Sequence, residues 1–245
     1  MRRILSERKP LTFRSTLYKF YDLCYPSLRS ISSSPWVIRR LFGVRLPRGM
    51  YVRFDPTTVL LSQVLPTMID ERDQTGLEVG IGQAALISLS IALRHPIQMV
   101  GVDCSSSRIE QALQVAHFNG VNAHFFTSDL FSAISPKQLF DLIVFNPPYV
   151  PTQTGRRLRL TERLDVDGDQ VWDGGSDGTE VLSRFLEESK DFLSERGRIL
   201  FGVQPIFVPD HLVLATIQRS GLTLLKRKTR RLIPSVVYIV AKVER

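Results

Sequence analysis

The chain has 245 residues, 43% of them hydrophobic and 23% charged, enough for one large domain and too few for two full-sized ones. That composition excludes wholesale disorder, and no apolar run approaches the roughly 20 residues that a membrane-spanning helix needs, so a soluble, cytoplasmic protein is expected. The formal net charge of +8 is concentrated at one end: residues 1–49 hold 11 of the 32 Lys and Arg against 2 of the 24 Asp and Glu, which leaves the remainder close to neutral.

The basic segment 1–49 reads as an N-terminal extension ahead of a domain over 50–245. Such an arm suits a nucleic-acid-rich partner such as a ribosome, an organelle-targeting role for an Arg- and Ser-rich, acid-poor segment, or a plain solvated face. Leu17, Phe20, Tyr21 and Cys24 share one helical face, and Trp36, Val37, Leu41 and Phe42 offer a second apolar stripe after the Ser30–Ser34 loop. Cys24 and Cys104 lie far apart, without disulfide-framework or zinc-type spacing, and the four scattered histidines pair with no carboxylates at ligand spacing; no metal is implied.

From Gly76 the pattern alternates. Strands are predicted at Leu77–Val79, Ile97–Val102, Asn122–Phe126, Asp141–Phe145 and Arg198–Val203. Helices are predicted at Ala84–Arg94, Ser105–Asn119, Thr179–Ser194 and Pro209–Ser220. Leu222–Lys226 and Val236–Val243 close the chain as two successive strands, with the basic run Lys226–Arg231 read as a hairpin between them. This order specifies an α/β sheet that is mostly parallel with an antiparallel edge pair, whose ligands bind beyond the carboxyl ends of the strands.

Four stations stand at those ends. Glu78-Val79-Gly80-Ile81-Gly82 places glycines where a strand turns tightly into a helix, and Gly80–Ala85 also satisfies the G-x-G-x-x-G/A nucleotide pattern. Asp103, 21 residues after Gly82, can accept both hydroxyl protons of a ribose, or serve the N-terminus of the next helix. Asp129, followed by Leu130, can accept from an adenine amino group or be an ordinary turn carboxylate. Glu78 would repel a pyrophosphate but suits a cationic amine, which favours S-adenosylmethionine (SAM) over NAD.

The fourth station is Asn146-Pro147-Pro148-Tyr149, directly after an apolar strand. Its acceptors, the Asn146 side-chain oxygen and the Pro147 carbonyl, can hold the two hydrogens of a carboxamide or adenine NH2. Pro148 stiffens the turn, and Tyr149 is expected to stack on the flat target. Positioned this way, a poorly nucleophilic nitrogen can displace a sulfonium methyl in line with no dedicated base.

In this order the stations resemble class I SAM-dependent methyltransferases that act on planar nitrogens. Trp172-Asp173-Gly174-Gly175-Ser176-Asp177-Gly178, with Asp55–Leu61 upstream, resembles the HemK-type protein-(glutamine-N5) methyltransferases, which modify peptide-chain release factors. The resemblance spans roughly residues 50–243. It implies a Rossmann-like seven-stranded sheet, SAM as cofactor, Thr58 beside that cofactor, and a glutamine of a release factor or ribosomal protein as acceptor. Thr152–Val171 matches no family pattern. N6-adenine methylation of RNA or DNA, small-molecule N-methylation and a non-catalytic binding subunit are the alternatives.

Overall fold

A computed structural model describes residues 34–164 and 168–242. The helical face expected at Leu17–Cys24 and most of the basic arm lie outside these residues.

The sheet has seven strands: β1 (Thr75–Val79), β2 (Gln98–Asp103), β3 (His124–Thr127), β4 (Phe140–Phe145), β5 (Leu193–Val203), β6 (Thr223–Arg230) and β7 (Ile233–Ala241), in spatial order β3-β2-β1-β4-β5-β7-β6. The first five run parallel; β7 pairs antiparallel with both β5 and β6, as the two closing strands predicted. The strand order reverses between β1 and β4, which opens a crevice at their carboxyl ends.

Helices cover both faces: α1 (Pro35–Phe42), α2 (Pro56–Val64), α3 (Leu86–Ala92), α4 (Ser106–Phe118), α5 (Thr152–Leu158), α6 (Leu160–Leu164), α7 (Glu180–Ser189) and α8 (Asp210–Ser220). The period of two along the central strands decides which core each side chain joins. Leu142 and Val144 of β4, Leu200 of β5 and Val237 and Ile239 of β7 pack with Leu60, Leu61 and Val64 of α2 and Ile87 and Ile91 of α3. Their alternates, Ile143, Phe145, Ile199, Phe201, Tyr238 and Val240, pack on the other face with Leu182, Phe185 and Leu186 of α7 and Val213 and Ile217 of α8. The buried positions of α7 (Leu182, Phe185, Leu186, Ser189) recur at one helical face, and those of α8 (Val213, Thr216, Ile217, Ser220) follow the same spacing.

Two expectations need correction, and one stretch without an expectation gains structure. The apolar stripe of α1 faces differently: Ile38 and Phe42 are buried with Val44 against α3 and α4, while Trp36 is 72% exposed. The basic run Lys226–Arg230 lies within strand β6 of the β6–β7 hairpin and not between the two strands; it forms the sheet edge, where exposure of both faces erases hydrophobic alternation and charge discourages edge pairing. Thr152–Leu164, which carries no recognised pattern, forms the short helices α5 and α6, and Arg53 donates a hydrogen bond to the Leu164 carbonyl at their end.

Candidate active site

At the end of β1, Gly80 and Gly82 have φ of +68° and +62°, values that glycine adopts without a Cβ penalty. The N–H groups of Gly80 and Ile81 both donate to the Val102 carbonyl, at 2.7 and 3.1 Å, which folds the turn over β2. Asp103 fastens it: one carboxylate oxygen accepts the Gly82 N–H at 2.9 Å, and the other accepts the Ser105 N–H at 3.0 Å, with Arg108 3.6 Å away. Ser105, not Asp103, holds the N-cap position of α4, so the acid links the glycine turn to the helix start from one residue further back. A Cβ on Gly82 would meet nothing within 4 Å, so the space above the turn is open.

Glu78 is buried beneath this turn, where Oε2 accepts the Ser88 N–H of α3 at 2.7 Å. Burial pushes its carboxyl up to about 8; the Ser88 hydrogen bonds pull the other way, and the Asp103 charge adds to the rise. No cation contacts it among the described residues. A cationic amine entering from the crevice would stabilise its ionised form, and this donor-poor carboxylate is what fits the aminoacyl end of SAM.

After β3, Ser128 holds the turn by donating to the Leu130 carbonyl at 2.9 Å, and Leu130 sits at φ +47° with its side chain buried. Asp129 is exposed and pairs with Arg184 of α7 at 2.9 Å. That contact raises the Arg184 pKa and gives the carboxylate a protein partner that an adenine amino group would have to share.

Asn146 leaves β4 with its amide oriented by α2. Both hydrogens of Nδ2 are used, one to Asp55 Oδ1 and one to Thr58 Oγ1, each at 3.0 Å. Its oxygen Oδ1 is buried and accepts nothing. Asp55 is the N-cap of α2, accepting the Thr58 N–H and hydroxyl at 2.8 Å, so the helix start and the strand end share one carboxylate. Tyr149 returns to the same group and donates its hydroxyl to Asp55 Oδ2 at 3.0 Å. With that proton committed, Thr57 donates to the Tyr149 oxygen at 3.0 Å and Ser235 of β7 donates to Thr57, also at 3.0 Å. Burial and the Asp55 charge hold the Tyr149 phenol well above its ordinary value, so it stays a donor.

Tyr149 therefore differs from the open aromatic expected. Only 6% exposed, it packs its ring 6.2 Å from Phe207 and pins the turn to α2. Pro147 is buried and Pro148 half-buried.

The Trp172–Gly178 block lies directly behind this turn. Val150 and Gly174 exchange backbone hydrogen bonds with their opposite strand, Val150 N–H to the Trp172 carbonyl at 2.8 Å and Gly174 N–H to the Val150 carbonyl at 2.9 Å. A Cβ on Gly174 would come within 2.8 Å of the Pro148 carbonyl oxygen, so only glycine lets the loop brace the Pro148-Tyr149 backbone. The structure thus gathers Glu78, Gly80, Gly82, Asp103, Asp129, Leu130, Thr58 and Asn146–Tyr149 at one end of the sheet. Asp55, Thr57 and Ser235 join them without a chemical signal of their own: a hydroxyl or an N-cap acid shows its partners only once α2 is docked on β5 and β7.

The Methyltransferase small domain family matches residues 47–168. A putative protein N5-glutamine methyltransferase of Methanocaldococcus jannaschii is 37% identical over 134 residues, 55% of this chain and 64% of that protein. A release factor glutamine methyltransferase of Rhodopirellula baltica is 31% identical over 60% of this chain and 50% of its own length. The chain thus spans less than two thirds of these curated relatives. Among solved structures, a methyltransferase from Pyrococcus furiosus superposes with a TM-score of 0.60 at 17% identity, over 89% of this chain and 97% of that one. The ribosomal protein L11 methylase of Lactobacillus delbrueckii subsp. bulgaricus gives 0.59 at 15% identity, over 82% and 86%. Both are likenesses of fold, that of the class I methyltransferases. With its glycine turn, its buried acids and its Asn-Pro-Pro-Tyr turn on that fold, the chain is similar over about half its length to protein N5-glutamine and release factor glutamine methyltransferases.

Proposed function

We propose that this chain is a SAM-dependent methyltransferase whose acceptor is the side-chain amide nitrogen of a glutamine in a peptide-chain release factor. The observation that carries the reading is the buried, unpartnered Oδ1 of Asn146, on an amide that spends both its hydrogens on Asp55 and Thr58. SAM supplies an electrophilic methyl group. Glu78 would hold its amine, Asp103 its ribose, and the turn at Asp129-Leu130 its adenine, while the open space over Gly82 leaves room along the crevice.

Asn146 Oδ1 then takes one hydrogen of the glutamine NH2, with the Pro147 carbonyl available for the other. An amide nitrogen gains positive charge and loses planarity as it attacks, so acceptors on its hydrogens stabilise the transition state more than the ground state. Nothing in the turn needs to act as a base before transfer, since the proton is lost after the nitrogen has become cationic. The relatives named for release factors favour a protein acceptor over a nucleobase.

Purified protein incubated with methyl-labelled SAM and a release factor tests this. Label that survives nuclease and is lost with protease supports it; label carried by RNA or DNA would replace it with adenine methylation through the same turn.

A further inference from the structure

We propose that Asp55 is a positioning residue for the acceptor site, which fixes the sense of the Asn146 amide so that oxygen, and not nitrogen, faces the methyl acceptor. The inference rests on the proposed amide-methylating function and assigns a residue that acts through Asn146.

A primary amide has two ends of nearly equal shape, and only one of them can receive a hydrogen from the target nitrogen. In the flipped orientation Asn146 would offer NH2 to the target's NH2, two donors facing each other. The flip is blocked on the far side. It would set the Asn146 oxygen against Asp55 Oδ1 and against a Thr58 hydroxyl whose proton already goes to Asp55, both 3.0 Å from that end of the amide. An ionised carboxylate is acceptor-only, so Asp55 tolerates donors alone.

Helix capping does not by itself explain an acid here. Ser, Thr or Asn would cap α2 about as well. Asp55 meets donors on both oxygens: Thr58 N–H, Thr58 hydroxyl and Asn146 Nδ2 on Oδ1, and the Tyr149 hydroxyl on Oδ2. An Asn at 55 would cap the helix but turn an NH2 toward either the Tyr149 hydroxyl or the Asn146 amide. A carboxylate accepts from all four at once, whereas an Asn could serve the three donors on Oδ1 only if the Tyr149 hydroxyl turned its proton to Thr57 and accepted the Asn NH2. Its charge also polarises the Asn146 amide through the N–H it accepts, which makes Oδ1 the stronger acceptor for a nitrogen gaining positive charge.

The test combines kinetics with nuclear magnetic resonance of the side-chain amide. In the unsubstituted protein both Asn146 carboxamide protons should exchange slowly with water; exchange at the rate of a solvated amide would overturn the proposal without any variant. Asp55→Asn should lower single-turnover methyl transfer to a release factor about 10- to 100-fold, the loss expected from a misdirected contact, while S-adenosylhomocysteine affinity changes less than about threefold. Asp55→Ser, which keeps a capping hydroxyl, should behave alike with its melting temperature largely retained. In the Asn146→Ala background, Asp55→Asn should slow transfer no further, because there is no amide left to orient. Losses that multiply in the double variant, or an Asp55→Asn enzyme with ordinary turnover, would show that Asp55 does not act through Asn146. Failure of the unsubstituted protein to methylate any release factor would refute the function, and the amide exchange would still judge Asp55.

Discussion

Gly178 lies so close to Tyr149 that a Cβ on it would stand 2.5 Å from the Tyr149 carbonyl oxygen, and 2.8 Å from Val208 Cγ2. Its φ of +84° adds a conformational demand to the steric one. Gly178→Ala should therefore destabilise the protein by about 2–4 kcal/mol, the overpacking and left-handed terms together. Gly49 serves as the control, with φ +77° and nothing within 4 Å of a Cβ. Gly49→Ala should cost only about 1–2 kcal/mol. Denaturant unfolding of the two variants separates the terms, and equal losses would mean that the loop does not brace the turn.

The helix α1 supports a second comparison. Ile38 is fully buried against α3 and α4, whereas Trp36, the larger apolar residue of the same helix, points into solvent. Ile38→Ala should cost about 2–5 kcal/mol and Trp36→Ala less than about 0.5 kcal/mol, read as shifts of the unfolding midpoint.

Glu78 predicts a pH dependence. Its carboxyl, raised by burial to about 8 from 4.5, is protonated at neutral pH in the folded protein and ionised in the unfolded chain. The unfolded state thus binds fewer protons between those values, so this group's contribution to stability falls as pH rises from about 4.5 to about 8. Binding of a cationic amine has the opposite slope, because it requires the ionised form. Affinity for S-adenosylhomocysteine should rise by up to about tenfold per pH unit between pH 6 and 8, with proton release on binding. Glu78→Gln should bind weakly and flatten that profile. Calorimetry across this range checks both, and a flat profile in the unsubstituted protein would separate Glu78 from the amine.

The sheet was legible because β1, β4, β5 and β7 are buried on both faces and read as short apolar runs, ended by Gly80, Asn146-Pro147 and Gln204-Pro205. Of β6 only the first half was, since its continuation through Arg227, Lys228 and Arg230 along the sheet edge buries too little to show a period. The stripe of α1 differs from Trp36, Val37, Leu41 and Phe42 because an apolar pattern alone does not say which side of the helix meets α3. In the site, Glu78, Asp103 and Asn146 each announce themselves by standing at a strand end. The pairing of Asp55 with Asn146 spans 91 residues and depends on how α2 docks across β5 and β7, which no local pattern records.

The account turns on Asn146 as the acceptor that aims the target nitrogen, and fragment-ion mass spectrometry of a release factor treated with SAM and the protein tests it most directly. The unsubstituted protein should place one methyl group on the side-chain nitrogen of a glutamine. Asn146→Ala should reduce the rate of that modification by about 10²-fold or more, the loss typical of one oriented polar group, with S-adenosylhomocysteine binding far less affected. Methylation of the same glutamine at an unchanged rate by Asn146→Ala would contradict it.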